Sequence, residues 1–150
     1  MNIKGITNLS LIDWDGEVCS VIFLGGCNFR CPACHNASLV LEPEKLKSIS
    51  EADILQTIEG YREYITGVCI TGGEATIQPD IYDFCKKLKD IGLKVKLDTN
   101  GKHPMMLEDL INNKLIDYVA MDVKAPLTEK AYTKAAGIPI YVAELSDMDY

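Results

Sequence analysis

Four short apolar runs punctuate the chain, and each stops at a glycine pair or an aspartate. Cys19-Ser20-Val21-Ile22-Phe23-Leu24 stops at Gly25-Gly26, and Gly67-Val68-Cys69-Ile70-Thr71 at Gly72-Gly73. Leu93-Lys94-Val95-Lys96-Leu97 and Tyr118-Val119-Ala120-Met121 stop at Asp98 and Asp122. Runs this short and this apolar predict buried strands. Between them the period changes to that of amphipathic helices. Ser50, with Asp53 three residues on, predicts a helix start ahead of Ile54, Leu55, Ile58 and Tyr61 on one face. Ile81, Phe84, Cys85, Leu88 and Ile91 follow Asp80 at helical spacing, and Gly92 supplies the stop. A third helix is expected from Pro104, presenting Leu107, Leu110 and Ile111. Thr128 is expected to cap a fourth that runs through Ala136 to Gly137.

Strands that alternate with helices imply right-handed βαβ units on a parallel sheet, either open or curled into a barrel. Asn2 to Asp15 lies outside that repeat and reads as a hairpin turning at Thr7-Asn8. Ile138 to Ala143 reads as a fifth strand, with Pro139 favouring an edge. One consequence follows from this layout alone. Gly25-Gly26-Cys27, Gly72-Gly73-Glu74, Asp98-Thr99-Asn100-Gly101 and Asp122-Val123-Lys124 each come directly after a predicted strand. Parallel α/β folds collect ligands at the carboxyl ends of their strands, so these four groups should face one site.

Composition narrows the class of function. With 150 residues, 47% hydrophobic and 25% charged, the chain reads as one globular domain over residues 1–150. A net charge of -7 works against a nucleic-acid partner. Lys86, Lys87 and Lys89 fit the solvated face of a helix. No apolar run approaches the roughly 20 residues of a bilayer span, and Met1 to Gly5 lacks the features of a signal peptide. A cytoplasmic protein without membrane association is expected. Six cysteines in such a chain suggest thiols, a metal or catalysis rather than disulfides. Cys19, Cys69 and Cys85 stand among apolar neighbours, as small buried side chains do.

The other three cysteines are bunched. Cys27, Cys31 and Cys34 form C-x3-C-x2-C, with Pro32 stiffening the loop. A short loop can wrap three thiolates around three corners of an iron-sulfur cubane, and no fourth cysteine lies nearby. One iron would stay open, as a catalytic metal centre requires. The alternative is a Cys3His zinc site recruiting His35.

These residues, with Gly72-Gly73-Glu74 one strand later, resemble the radical S-adenosylmethionine (SAM) superfamily. Ile12-Asp13-Trp14-Asp15-Gly16, Gly25 to Pro32, Cys34-His35-Asn36, Thr71 to Thr76, Leu97 to Gly101 and Tyr118 to Pro126 narrow the resemblance. Together they look like the activating proteins of anaerobic ribonucleoside-triphosphate reductase, from about Ile3 to Gly137 in unbroken order. The resemblance implies a partial (β/α) TIM-like barrel of about four to five βα units with a short amino-terminal hairpin. It implies a [4Fe-4S] cluster on Cys27, Cys31 and Cys34, and SAM contacts from Asn36, Gly72, Gly73, Glu74, Asp98, Thr99, Asn100, Asp122 and Lys124. In that family the G-G-E block meets the amino group of SAM. By analogy Asp98, Thr99, Asp122 and the Ala120 carbonyl could hold a monovalent cation beside the SAM carboxylate, which Lys124 could contact. No catalytic side chain is implied beyond these cofactor ligands.

The implied activity is that of a glycyl-radical-enzyme activase. A flavodoxin or ferredoxin supplies one electron, the reduced cluster cleaves SAM, and the resulting 5'-deoxyadenosyl radical takes a hydrogen atom from a glycine of the reductase. Another glycyl-radical enzyme or a small molecule is the alternative target, and a non-catalytic iron-sulfur or zinc scaffold the alternative class. The chain departs from the family at Ala33, where an aromatic residue is usual, and Phe29 or a later residue is expected to take over its adenine contact. Family chains also continue through further βα units, and Glu144 to Tyr150 does not resemble them. A compact version of the fold, a truncated chain and a barrel completed by a partner are all left open.

Overall fold

A computed structural model describes residues 1–141. Five strands form a single sheet in the order β1-β2-β3-β4-β5. They are β1 (Ile3–Ser10), β2 (Cys19–Leu24), β3 (Gly67–Gly72), β4 (Lys94–Thr99) and β5 (Tyr118–Met121). The last four pair in parallel, and β1 pairs antiparallel with β2. The helices are α1 (Ala37–Leu41), α2 (Glu51–Gly60), α3 (Ile81–Asp90), α4 (Pro104–Asn112) and α5 (Glu129–Ala136).

One apolar core joins Ile22, Leu24, Val68, Ile70, Val95 and Leu97 of the sheet to Ile54 and Ile58 of α2, Phe84 and Leu88 of α3, and Leu107 and Leu110 of α4. Three successive crossovers thus cover the same face. That is the plan of a partial barrel, in contrast to a doubly wound sheet with helices on both faces. The opposite face carries Trp14, Cys19, Val21 and Cys69, with Phe23 beside them. Trp14 closes this face at the amino ends of the strands, its ring 6.2 Å from that of Tyr118.

Local signals act where expected. Ser50 accepts from Asp53 N, and Thr128 from Ala131 N, satisfying free N–H groups at two helix starts. Gly137 ends α5 in the left-handed conformation, at φ 69°. Cys19, Cys69 and Cys85 are buried. Lys86 and Lys87 are exposed and Lys89 is half-buried.

Two expectations fail. The amino-terminal hairpin does not turn at Thr7-Asn8, since β1 runs straight through both residues and the connection falls at residues 11–18. Pairing with β2 outweighs the local turn preference. Asn8 O accepts from Ser20 Oγ at 2.6 Å and Asn8 Nδ2 donates to Tyr61 Oη at 3.1 Å, so its polar groups are met by β2 and by the end of α2. Ile138 to Tyr141 form no strand. Ile140 N instead donates to Thr133 Oγ1 at 3.0 Å and the Ile140 side chain is buried, which folds the segment back onto α5. The remainder of that expected strand and Glu144 to Tyr150 lie outside the described residues. Among those described, no helix is long and apolar enough to cross a membrane.

Candidate functional site

The carboxyl ends of β2, β3, β4 and β5 open onto one cavity of about 760 Å³. Cys27, Cys31 and Cys34 line it, as do Asn36, Gly72, Gly73, Glu74, Asp98, Thr99, Asn100, Asp122 and Lys124. The cysteines and every residue expected to contact SAM therefore meet at one place. The strands reach slightly further than their apolar runs. Gly72 closes β3 and Asp98-Thr99 close β4, so these residues belong to the sheet, Gly72 meeting the cavity with its backbone.

The cysteine loop is pinned from two sides. On one, Gly26 O accepts from Glu74 N at 2.9 Å. A Cβ on Gly73 would sit 1.8 Å from Gly26 O, so only glycine lets β3 and the loop approach this closely. On the other, Arg30 N donates to Ala136 O at 2.8 Å, and a Cβ on Gly137 would lie 2.0 Å from Arg30 O. Phe29 is buried edge-on against Tyr132 of α5, ring centroids 6.4 Å apart. It anchors the loop and also lines the cavity.

The thiols are half-exposed toward the cavity. Burial raises the pKa of Cys27, against the Phe29 N–H that donates to its sulfur at 3.3 Å. Burial likewise raises that of Cys31, although the Lys124 ammonium works to lower it. No three His, Cys, Asp or Glu side chains among the described residues are gathered closely enough for a lone metal ion. A cubane makes a different demand, because each thiolate binds its own iron. His35 lines the cavity but is exposed.

Glu74 is 1% exposed. Its Oε1 accepts from Thr76 N at 3.0 Å, Thr76 Oγ1 at 2.6 Å and Thr99 Oγ1 at 2.7 Å, and its Oε2 from Asn100 N at 2.7 Å. The carboxylate thus ties the turn after β3 to the end of β4. Asn100 passes the connection on, donating from Nδ2 to Asn28 Oδ1 at 2.7 Å and toward Cys27 Sγ at 3.7 Å. Asn36 Nδ2 reaches Gly72 O at 3.4 Å.

Two further carboxylates stand beside lysines. Asp98 Oδ1 is buried and takes no hydrogen bond among the described residues, although the Lys96 ammonium lies 2.8 Å away in a charge contact. Lys96 Nζ aims its hydrogen bond at Asp13 O, 2.7 Å distant. Burial opposes the Lys96 charge, but Asp98 and the neighbouring Cys69 outweigh it and its pKa rises. At β5, Lys124 Nζ donates to Asp122 Oδ2 at 2.5 Å, and that pairing overcomes burial to raise the pKa of Lys124.

Lys96, Thr76, Asn28 and Tyr132 are functional neighbours that sequence reasoning passed over. Lys96 carried a readable signal, since strand alternation places it on the face of Asp98 two residues on. Asn28 and Tyr132 act through contacts distant in sequence, with Asn100 and Phe29, whereas Thr76 bonds Glu74 two residues away.

The sequence profile of the radical SAM superfamily matches residues 21–144. A Methanocaldococcus jannaschii protein named as a candidate glycyl-radical enzyme activating enzyme is 44% identical over 123 residues, covering 81% of this chain and 50% of its own. The pyruvate formate-lyase-activating enzyme of Clostridium pasteurianum is 29% identical, covering 81% of this chain and 52% of its own. The chain thus spans about half the length of these relatives. Among solved structures, QueE from Escherichia coli superposes with a TM-score of 0.56 at 24% identity, over 67% of this chain and 53% of that one. It shares the fold.

Proposed function

The chain belongs to the radical SAM superfamily, and we propose that its cavity binds a [4Fe-4S] cluster and SAM to activate a glycyl-radical enzyme. Membership implies both cofactors. The observation that carries the reading is the convergence of three cysteines, two glycines and two Asp–Lys pairs on one cavity at the strand ends. Its volume falls in the range of small-molecule sites, roughly 300–1,000 Å³. When bound, the cluster and SAM supply one-electron cleavage of SAM and the hydrogen abstraction that follows.

The chain's own residues bind and orient. Cys27, Cys31 and Cys34 would hold three irons and leave the fourth open. The raised pKa values of Cys27 and Cys31 mean that coordination must displace their protons. Gly72 and Gly73, packed tightly against Leu24 and Gly26, would offer SAM the backbone at the cavity wall, and Asn36 orients the Gly72 carbonyl. Lys124 would exchange Asp122 for the SAM carboxylate, a trade between two carboxylates at an exposed ammonium. The same corner, with Asp98, Thr99 and the Ala120 carbonyl, is where a monovalent cation would sit, in competition with Lys96 and Lys124. Phe29 and Tyr132 keep water from the inner side of the cysteine loop.

The relatives' names support a glycyl-radical enzyme as the partner. The sequence blocks favour anaerobic ribonucleoside-triphosphate reductase within that class, with flavodoxin or ferredoxin as electron donor. Anaerobic reconstitution followed by dithionite should release methionine and 5'-deoxyadenosine from SAM, and Cys31→Ala should abolish that release. Undiminished cleavage by the variant would refute the cluster assignment. Mixing the reconstituted protein with the reductase should produce a glycyl radical signal by electron paramagnetic resonance. Cleavage with no signal on the reductase would move the target to another substrate.

A further inference from the structure

Asn100 is 6% exposed, and its amide orientation follows from its surroundings. Lys102 N donates to Asn100 Oδ1 at 3.0 Å, which requires oxygen on that side. The Nδ2 group therefore faces the cysteine loop, donating to Asn28 Oδ1 at 2.7 Å and lying 3.7 Å from Cys27 Sγ. The Asn100 backbone is fixed separately by the 2.7 Å bond from its N–H to buried Glu74. Cys27 Sγ also receives the Phe29 N–H at 3.3 Å. One sulfur of the loop is thus met by two N–H donors, one of them the side chain of a residue whose backbone is held by a buried carboxylate.

The geometry points to Asn100 as a positioning residue that donates an N–H···S hydrogen bond to a cluster-bound Cys27 thiolate and thereby raises the reduction potential of the cluster. This rests on the cluster assignment proposed above. An N–H donor stabilises the extra negative charge that the sulfurs carry once the cluster is reduced, so hydrogen bonds to sulfur favour the reduced state. The step is a single electron passing from an external low-potential reductant to the cluster. No proton moves, because the amide keeps its hydrogen. Glu74 acts one bond further back, by holding the Asn100 backbone where its side chain can reach sulfur. Asn28 shares the donor group and fixes its direction.

The test is an anaerobic redox titration of reconstituted, SAM-free protein with dithionite and mediators, followed by absorbance and electron paramagnetic resonance, with iron counted per chain. Asn100→Leu keeps the volume and removes the donor. At the wild-type midpoint its ratio of reduced to oxidised cluster should fall about threefold or more, and threefold is about 28 mV for one electron. A full four-iron cluster with an unchanged ratio would overturn the inference, since a purely structural role would not move the potential. Should Asn100→Leu take up no iron, Asn28→Ala decides. It keeps the Asn100–Glu74 bond but removes the oxygen that aims the Asn100 amide at the loop, so a lowered ratio supports the proposal and an unchanged or raised one overturns it. Wild-type protein that assembles no four-iron cluster would fail the site assignment itself, and the inference with it.

Discussion

At the β3–β4 corner of the cavity the Glu74 carboxylate is buried and meets four donors, whereas at the β5 corner the Asp122 side chain is 74% exposed and meets one lysine. Both residues follow an apolar strand, and both carry the same charge. Burial separates their uses. A carboxylate taken out of water is tolerable only when its lone pairs are filled, and filling them leaves little capacity for a ligand. Glu74 is therefore architecture, tying the turn after β3 to Asn100 and so to the cysteine loop. Asp122 and Lys124 hold each other through a contact of the kind worth about 0–1 kcal/mol, which a charged ligand can replace at small cost. The site joins a rigid floor to an exchangeable wall.

The sharpest way to break this contrast is Glu74→Ala. It strands Thr76 N, both threonine hydroxyls and Asn100 N, and should destabilise the apo-protein by about 3–5 kcal/mol in a urea titration. A loss under about 1 kcal/mol would mean that the corner is not structural.

Next in size is an alkaline transition. Burial pushes the thiols of Cys69 and Cys85 up to about 12, whereas in the unfolded chain they ionise near their ordinary value. Between those two values the folded state holds protons that the unfolded state releases. Stability is thus complete below about pH 8.5 and falls as pH rises from there to about 12. The slope should reach roughly 1.4 kcal/mol per pH unit for each thiol. Cys69 lies on the floor, its Sγ 3.8 Å from Asp98 Oδ2, so Cys69→Ala should make the slope shallower by up to roughly 1.4 kcal/mol per pH unit. Equal slopes in variant and wild type would contradict its burial.

Smallest is the expected effect at the wall. Asp122→Asn should change apo stability by no more than about 0.5 kcal/mol. SAM binding to the reconstituted protein, followed by calorimetry, should change instead, because Lys124 loses its competing partner. A large stability loss would place Asp122 with Glu74.

Much of this was readable from residues alone. Apolar runs located β2 to β5, and the caps at Ser50 and Thr128 and the stop at Gly137 depend on neighbours within four residues. Thr7-Asn8 misled because turn preference is local while its competitor, pairing with β2, is not. Phe29 invited a ligand role by standing in the cysteine loop, and only the placement of Tyr132 shows that its ring also anchors the loop to α5.

The sequence by itself determined which residues reach the cavity, since strand period and strand termination are local properties and a parallel sheet presents all its carboxyl ends on one side. Only the tertiary structure decided what each of them does there. Whether a carboxylate is a strut or a ligand depends on how many donors surround it, and for Glu74 those donors come from Thr76, Thr99 and Asn100, brought together across two strands by folding.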